Sequence, residues 1–203
     1  MIDYELFDFV NYVVEKANGM GPEFNTDRAQ LVDMIGNNNR EISVFAILFD
    51  KKSKTLLIVH NTHLYWNGTE HEDVQLLHAL SGKFRAIELQ NQLLSFCNFD
   101  KNLGFKIGPN TIHCGDFNSF AESDVVSLMS RKMTPEFLGY LFSNKLKTEH
   151  NLIRAMFKQE ISHDMLPDTT CFVNCHSAVS QLNENWSVRI YVFVFRAWQK
   201  QTQ

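Results

Sequence analysis

Cysteine, proline and glycine are all scarce in this chain, at four, four and nine of 203 residues, and each scarcity closes off a class of protein. Cys97, Cys114, Cys171 and Cys175 lack the paired spacing that frames a small disulfide-stapled domain. Cys171 and Cys175, followed by His176, start a zinc-like pattern but have no second pair to complete four ligands, so the cysteines read as free thiols. With little proline or glycine there is no collagenous or low-complexity tract, no internal repeat and no obvious linker. Positive charge is not in excess either: 19 Lys and Arg against 23 Asp and Glu give a net charge of -4. That balance excludes a general nucleic-acid coat protein, which needs a broad basic face. It does not exclude an enzyme acting on phosphodiesters, because a bound divalent cation can supply the local positive charge. Long apolar runs are missing as well. The strongest near the C-terminus, residues 190–195, is too short to span a bilayer. The opening MIDYELFDFV carries acids where a signal peptide carries bases. The expected setting is the cytoplasm, with the nucleus as the alternative, and no membrane.

What the chain does have is bulk: 44% apolar residues, 17 of them phenylalanine, enough for the core of one domain over residues 1–203. Leu6, Phe9, Val10, Val13, Val14 and Ala17 recur at helical spacing up to Gly19, which predicts an amphipathic helix at the start of the chain. Residues 19–40, rich in Gly and Asn, read as a loop with at most one short helical turn. ISVFAILFD (42–50) and TLLIVHNT (55–62) are β-type runs joined by Lys51-Lys52-Ser53-Lys54, short enough for a hairpin. Helical spacing returns from Glu72 to about Phe96, and residues 111–114 form a short strand ending in Gly115-Asp116. Ser119 and Glu122 have capping-box spacing before Val125, Val126 and Leu128. Further helices are expected from Thr134, with Pro135 in the first turn, and over 149–159, with a last strand at 187–195. This order predicts an α/β chain with mixed, largely antiparallel sheets.

Chemistry concentrates at two strand ends, His60-Asn61-Thr62-His63-Leu64-Tyr65-Trp66-Asn67 and His113-Cys114-Gly115-Asp116-Phe117-Asn118-Ser119. In each, an apolar strand delivers polar side chains at its C-terminal end, where ligands commonly sit. An Asp there can orient an attacking water and accept its proton. An Asn two residues on can donate to a phosphoryl oxygen, and a cationic His can stabilise the charge that builds on the phosphoryl group. The competing reading of an isolated Asp-x-Asn is a turn whose side chains bond local backbone amides. His60, His78, His113 and His150 belong to no motif and read as helix-face, strand or surface residues.

Gly115-Asp116-Phe117-Asn118-Ser119 after an apolar strand resembles the GDFN(S) signature of the endonuclease/exonuclease/phosphatase superfamily. Asn61-Thr62-His63-Leu64-Tyr65-Trp66-Asn67, followed by Glu72-Asp73-Val74-Gln75-Leu76-Leu77, is similar to a block of its CCR4, nocturnin, Angel and 2',5'-phosphodiesterase branch. The match is tightest over 55–130 and fades over 145–203. The resemblance implies a partial four-layer α/β sandwich and a Mg2+-dependent phosphodiesterase, with Mn2+ as the alternative ion. The substrate class it implies is RNA, cut as by a 3'-exoribonuclease or deadenylase. His63, Asp116 and Asn118 would be the catalytic residues; Asn61, Trp66 and Asn67 would contact substrate, with packing as the competing role of Trp66.

Several family features have no counterpart. The strand and "QE" segment whose Glu is the principal metal ligand are not found, and neither Glu5 nor Glu15 sits on a candidate strand end, so the metal ligands stay unassigned. Where the family ends with Asp-Tyr and Ser-Asp-His, one alignment puts Ile190 in place of an Asp, and another puts Cys175 there, before His176. Gly68 replaces the Pro that helps shape the nucleobase pocket. The alternative reading is therefore a catalytically impaired, truncated relative that serves as a binding module, with a partner protein covering a sheet edge that the missing strand would leave exposed.

Overall fold

A computed structural model describes residues 3–36, 42–65, 72–99, 104, 106–119, 123–130, 135–146, 150–158, 178–181 and 187–194. Within them the chain is α/β. The elements run β1 (Asp3–Asp8), α1 (Phe9–Asn18), a 3-10 turn (Pro22–Phe24), α2 (Asn25–Ile35), β2 (Ile42–Asp50), β3 (Thr55–His63) and α3 (Glu72–Phe99). They continue through β4 (Lys106–Asp116), α4 (Asp124–Ser130), α5 (Pro135–Asn144), α6 (His150–Lys158), β5 (Ala178–Gln181) and β6 (Ser187–Val194). The strands form one sheet in the order β1-β2-β3-β4-β6-β5.

The hairpin expected at 51–54 joins β2 to β3 in antiparallel register, Val44 opposite Asn61 and Asp50 opposite Thr55. β3 and β4 instead run parallel, Asn61 beside Cys114 and His63 beside Asp116. A parallel pair needs a crossover, and α3 provides it. The remaining pairings are antiparallel, so the sheet is mixed.

Two expectations are corrected at the N-terminal end. Leu6 is not helical: residues 3–8 form an edge strand against β2, with Leu6 exposed and Phe7 buried. The helix starts at Phe9 because the Asp8 carboxylate accepts from the Asn11 N–H (3.0 Å) and caps it. The pairing partner lies some forty residues away, beyond the reach of a local pattern. Within 19–40, an eleven-residue α2 replaces most of the expected loop, burying only Leu31 and Ile35. A helix that anchors through two side chains leaves little periodic signal. Further on, Ser119 does not cap α4. The Ser123 hydroxyl accepts from the Val126 N–H (3.2 Å), while the Ser119 hydroxyl donates to Gln75 Oε1 (3.0 Å); Glu122 lies outside the described residues.

α3 is the axis of the core. Every residue from Val74 to Phe84 is buried, and Phe84 stacks on Phe157 of α6 at 4.4 Å. A helix enclosed all round must satisfy its own polar groups. Lys83 donates to the Leu128 carbonyl (2.6 Å) and Ser81 to the Leu77 carbonyl (2.7 Å). His60 of β3 stacks on Phe45 at 4.2 Å and presses against Gly82, where an added Cβ would sit 2.6 Å from its Cε1. Its Nδ1 lies 3.0 Å from Nδ1 of His113.

His60 and His113 are thus strand residues and His78 a helix-face residue, all three buried in the core. Burial holds all three below the usual histidine range, His60 and His78 at about 3, and lowers Lys83 to about 7. The consequence for stability has a definite sign. The unfolded chain takes up protons at these imidazoles near their ordinary pKa while the folded chain does not. Their contribution is therefore intact above about pH 6.5 and is lost as pH falls from there toward 3. Lys83 acts the same way at higher pH, adding stability between about 7 and 10.5. Chemical denaturation across pH 4 to 7 is expected to show stability falling by about 1.4 kcal/mol per pH unit for each titrating histidine. Replacing His60 and His113 together by Phe should flatten that slope; an unchanged slope would contradict their neutral burial.

Candidate functional site

The C-terminal ends of β3 and β4 lie side by side because of one glycine. Gly115 has φ of 122°, and an added Cβ would collide with the Thr62 carbonyl oxygen. Only glycine allows this conformation and this approach, so Gly115 lets the two strand ends close on each other. Beyond it the chains stay tied, the Leu64 N–H donating to the Asp116 carbonyl at 2.9 Å.

The closure brings His63, Asp116 and Asn118 together. Asn118 Nδ2 lies 3.1 Å from His63 Nε2 and donates to the Leu64 carbonyl at 2.7 Å. Asp116 Oδ1 accepts from the Asn118 N–H at 2.9 Å, closing an Asx-type turn with Asn118 at φ 47°. An amide nitrogen can only donate, so in this arrangement His63 Nε2 accepts and that nitrogen carries no proton. Both amide hydrogens of Asn118 are thereby occupied within the protein. A phosphoryl oxygen could receive one only by displacing His63 or the Leu64 carbonyl.

Asn61 is exposed on the same sheet face as His63, its Oδ1 3.6 Å from Cys114 Sγ. Burial raises the Cys114 pKa, which keeps the thiol protonated and poorly nucleophilic. Trp66, Asn67 and Gly68, and the segment holding Cys175 and His176, lie outside the described residues. On β6, Ile190 is the register partner of Asp116, and Tyr191 that of Gly115.

Two positioning residues escaped the sequence reading. Gln75 donates to the Phe117 and Asn118 carbonyls (3.1 and 3.0 Å) and accepts from Ser119, gripping the loop after β4 from behind. His78, one helical turn on, accepts the Tyr65 N–H at Nδ1 (3.2 Å) and so holds the loop after β3. One face of α3 therefore clamps both strand ends. A glutamine and a histidine three residues apart inside an apolar helical run were the available signal.

Asp116 is the single carboxylate of this cluster, and among the described residues no three His, Cys, Asp or Glu side chains are grouped to hold a metal ion. A hard cation needs several oxygens at once. No helix among the described residues is long and apolar enough to cross a membrane. No protein-family model matches the chain, and no curated protein matches it.

Gly115→Ala is expected to destabilise the fold by roughly 3 kcal/mol or more, since backbone must move at a positive φ. Gln75→Leu should cost about 1–3 kcal/mol by leaving buried carbonyls unpaired, and should speed amide exchange at residues 117–119 specifically. Equal exchange in both proteins would remove Gln75 from its clamping role.

Proposed function

We propose that the rim formed by His63, Asp116 and Asn118 is the phosphate-contacting part of a phosphodiesterase site of the endonuclease/exonuclease/phosphatase type, acting on RNA as a 3'-exoribonuclease or deadenylase does. The observation that carries the reading is the meeting of two separate sequence blocks: Asn118 of the second bonds His63 of the first across 3.1 Å. In such a site Asp116 orients a water for attack on phosphorus and takes its proton. His63, once protonated, and the released Asn118 amide donate to the phosphoryl oxygens as charge accumulates there. Mg2+ or Mn2+ is the cofactor this family resemblance brings. Among the described residues Asp116 is the carboxylate of this cluster that could serve as one of its ligands.

The four-layer sandwich belongs to the same proposal. The sheet face opposite α3 carries Val44, Ala46, Leu48, Leu57 and Val59, apolar and only partly buried, the composition of a face that packs on a second layer.

The second reading, an impaired relative that binds without cutting, is favoured by Ile190. At the backbone register position of Asp116 on β6 the sequence has Ile190, where the family resemblance expects an Asp.

Cleavage of an end-labelled oligoribonucleotide distinguishes the two. Under the first reading, slow hydrolysis requires Mg2+ or Mn2+ and falls about a hundredfold or more in Asp116→Ala and in Asn118→Ala. Melting curves on the same samples separate this from the loss of the Asx turn, which should cost only about 1 kcal/mol. Saturable oligonucleotide binding without turnover, weakened by His63→Ala, would decide for the binding module. Metal-independent cleavage untouched by Asp116→Ala would overturn the site.

A further inference from the structure

The β1 edge of the sheet offers a second surface, two strands to the side of the candidate rim on β3 and β4. Among the described residues β1 is an edge strand, paired only with β2, so one side of its backbone has no strand beside it. Its side chains are sorted by face. Tyr4 and Leu6 point away from the helices and are 59% and 64% exposed, and Ile42 of β2, on the same face, is 51% exposed. Asp3 and Glu5 alternate with them on the helix side. There an open groove of about 480 Å³ runs between β1, α1 and α3, and its walls hold Glu5, Asp8, Glu15 and Glu88 against Lys16 and Arg85. Both cations are already committed: Arg85 to Glu5 (2.5 Å) and Glu88 (3.1 Å), Lys16 to Glu88 (2.7 Å). Exposed Glu15 makes no ion pair among the described residues, and the groove keeps excess negative charge.

We infer that β1 is a docking edge for an extended segment of a partner protein in which lysine or arginine alternates with apolar residues. A strand added to β1 places successive side chains on opposite faces. One set would lie beside Tyr4 and Leu6, where apolar groups gain contact. The other would lie beside Asp3, Glu5 and the acidic groove, where cations gain partners. A second copy of β1 fits worse, because pairing DYELFD with itself sets carboxylates against carboxylates on the groove side.

The test is fluorescence anisotropy of a labelled peptide alternating lysine and valine, titrated with the full chain. Saturable binding is expected, weakened about tenfold by Leu6→Lys or by methylating alternate backbone nitrogens of the peptide. Leu6 is exposed, so its variant keeps the fold, and circular dichroism verifies this. Raised salt should weaken binding, and a glutamate–valine peptide should not bind. A block peptide of the same composition binding equally well, or binding indifferent to backbone methylation, would reduce the effect to charge attraction and overturn the docking edge. Sedimentation showing self-association that Leu6→Lys abolishes would also overturn it, assigning the edge to a second copy of the chain.

Discussion

The arrangement depends on the close parallel approach of β3 and β4 at Thr62 and Gly115. A Cβ at position 115 would overlap the Thr62 carbonyl, and without that approach the two polar strand ends would lie apart. The crossover helix α3 enforces it from behind. It is enclosed from Val74 to Phe84, so its burial drives the packing, and the few polar groups it carries must find partners. Gln75 and His78 find them in the backbones of the two loops that carry the candidate site. Core and site are therefore coupled through the same helix.

The same enclosure explains the histidines. His60 and His113 meet at 3.0 Å in a place no water reaches, and with His78 they are kept neutral by burial. His60 Nε2 and His78 Nε2 have no hydrogen-bond partner among the described residues, an energetic cost that close aromatic stacking on Phe45 and Phe9 offsets in part. Imidazoles kept neutral by burial make the fold less stable as pH falls below the usual histidine range. His63 shares β3 with His60 but lies on the strand's other face, where it is exposed to solvent.

The rim itself holds two readings in one geometry. Asp116 and Asn118 form a turn of the kind any Asp-x-Asn can make, and that turn also points Asn118 at His63. A purely local turn would not need a histidine from another strand, which gives the functional reading its weight. On β6 the backbone register partner of Asp116 is Ile190, where the family resemblance expects an Asp.

The sequence by itself determined the elements whose signal is local: the β2–β3 hairpin from its apolar runs and short polar connector, α3 from its period, and His63, Asp116 and Asn118 as strand-end polar groups. It missed β1 because a six-residue strand with apolar neighbours at helical spacing reads as the first turn of α1 until its partner, some forty residues on, is known. It misjudged α2 because two buried side chains leave little period to read. Only the tertiary structure decided that β3 and β4 run parallel, that Gln75 and His78 clamp the site, and that Ile190 is the register partner of Asp116. Each of these is a relation between residues remote in the chain, set by which faces can be buried together.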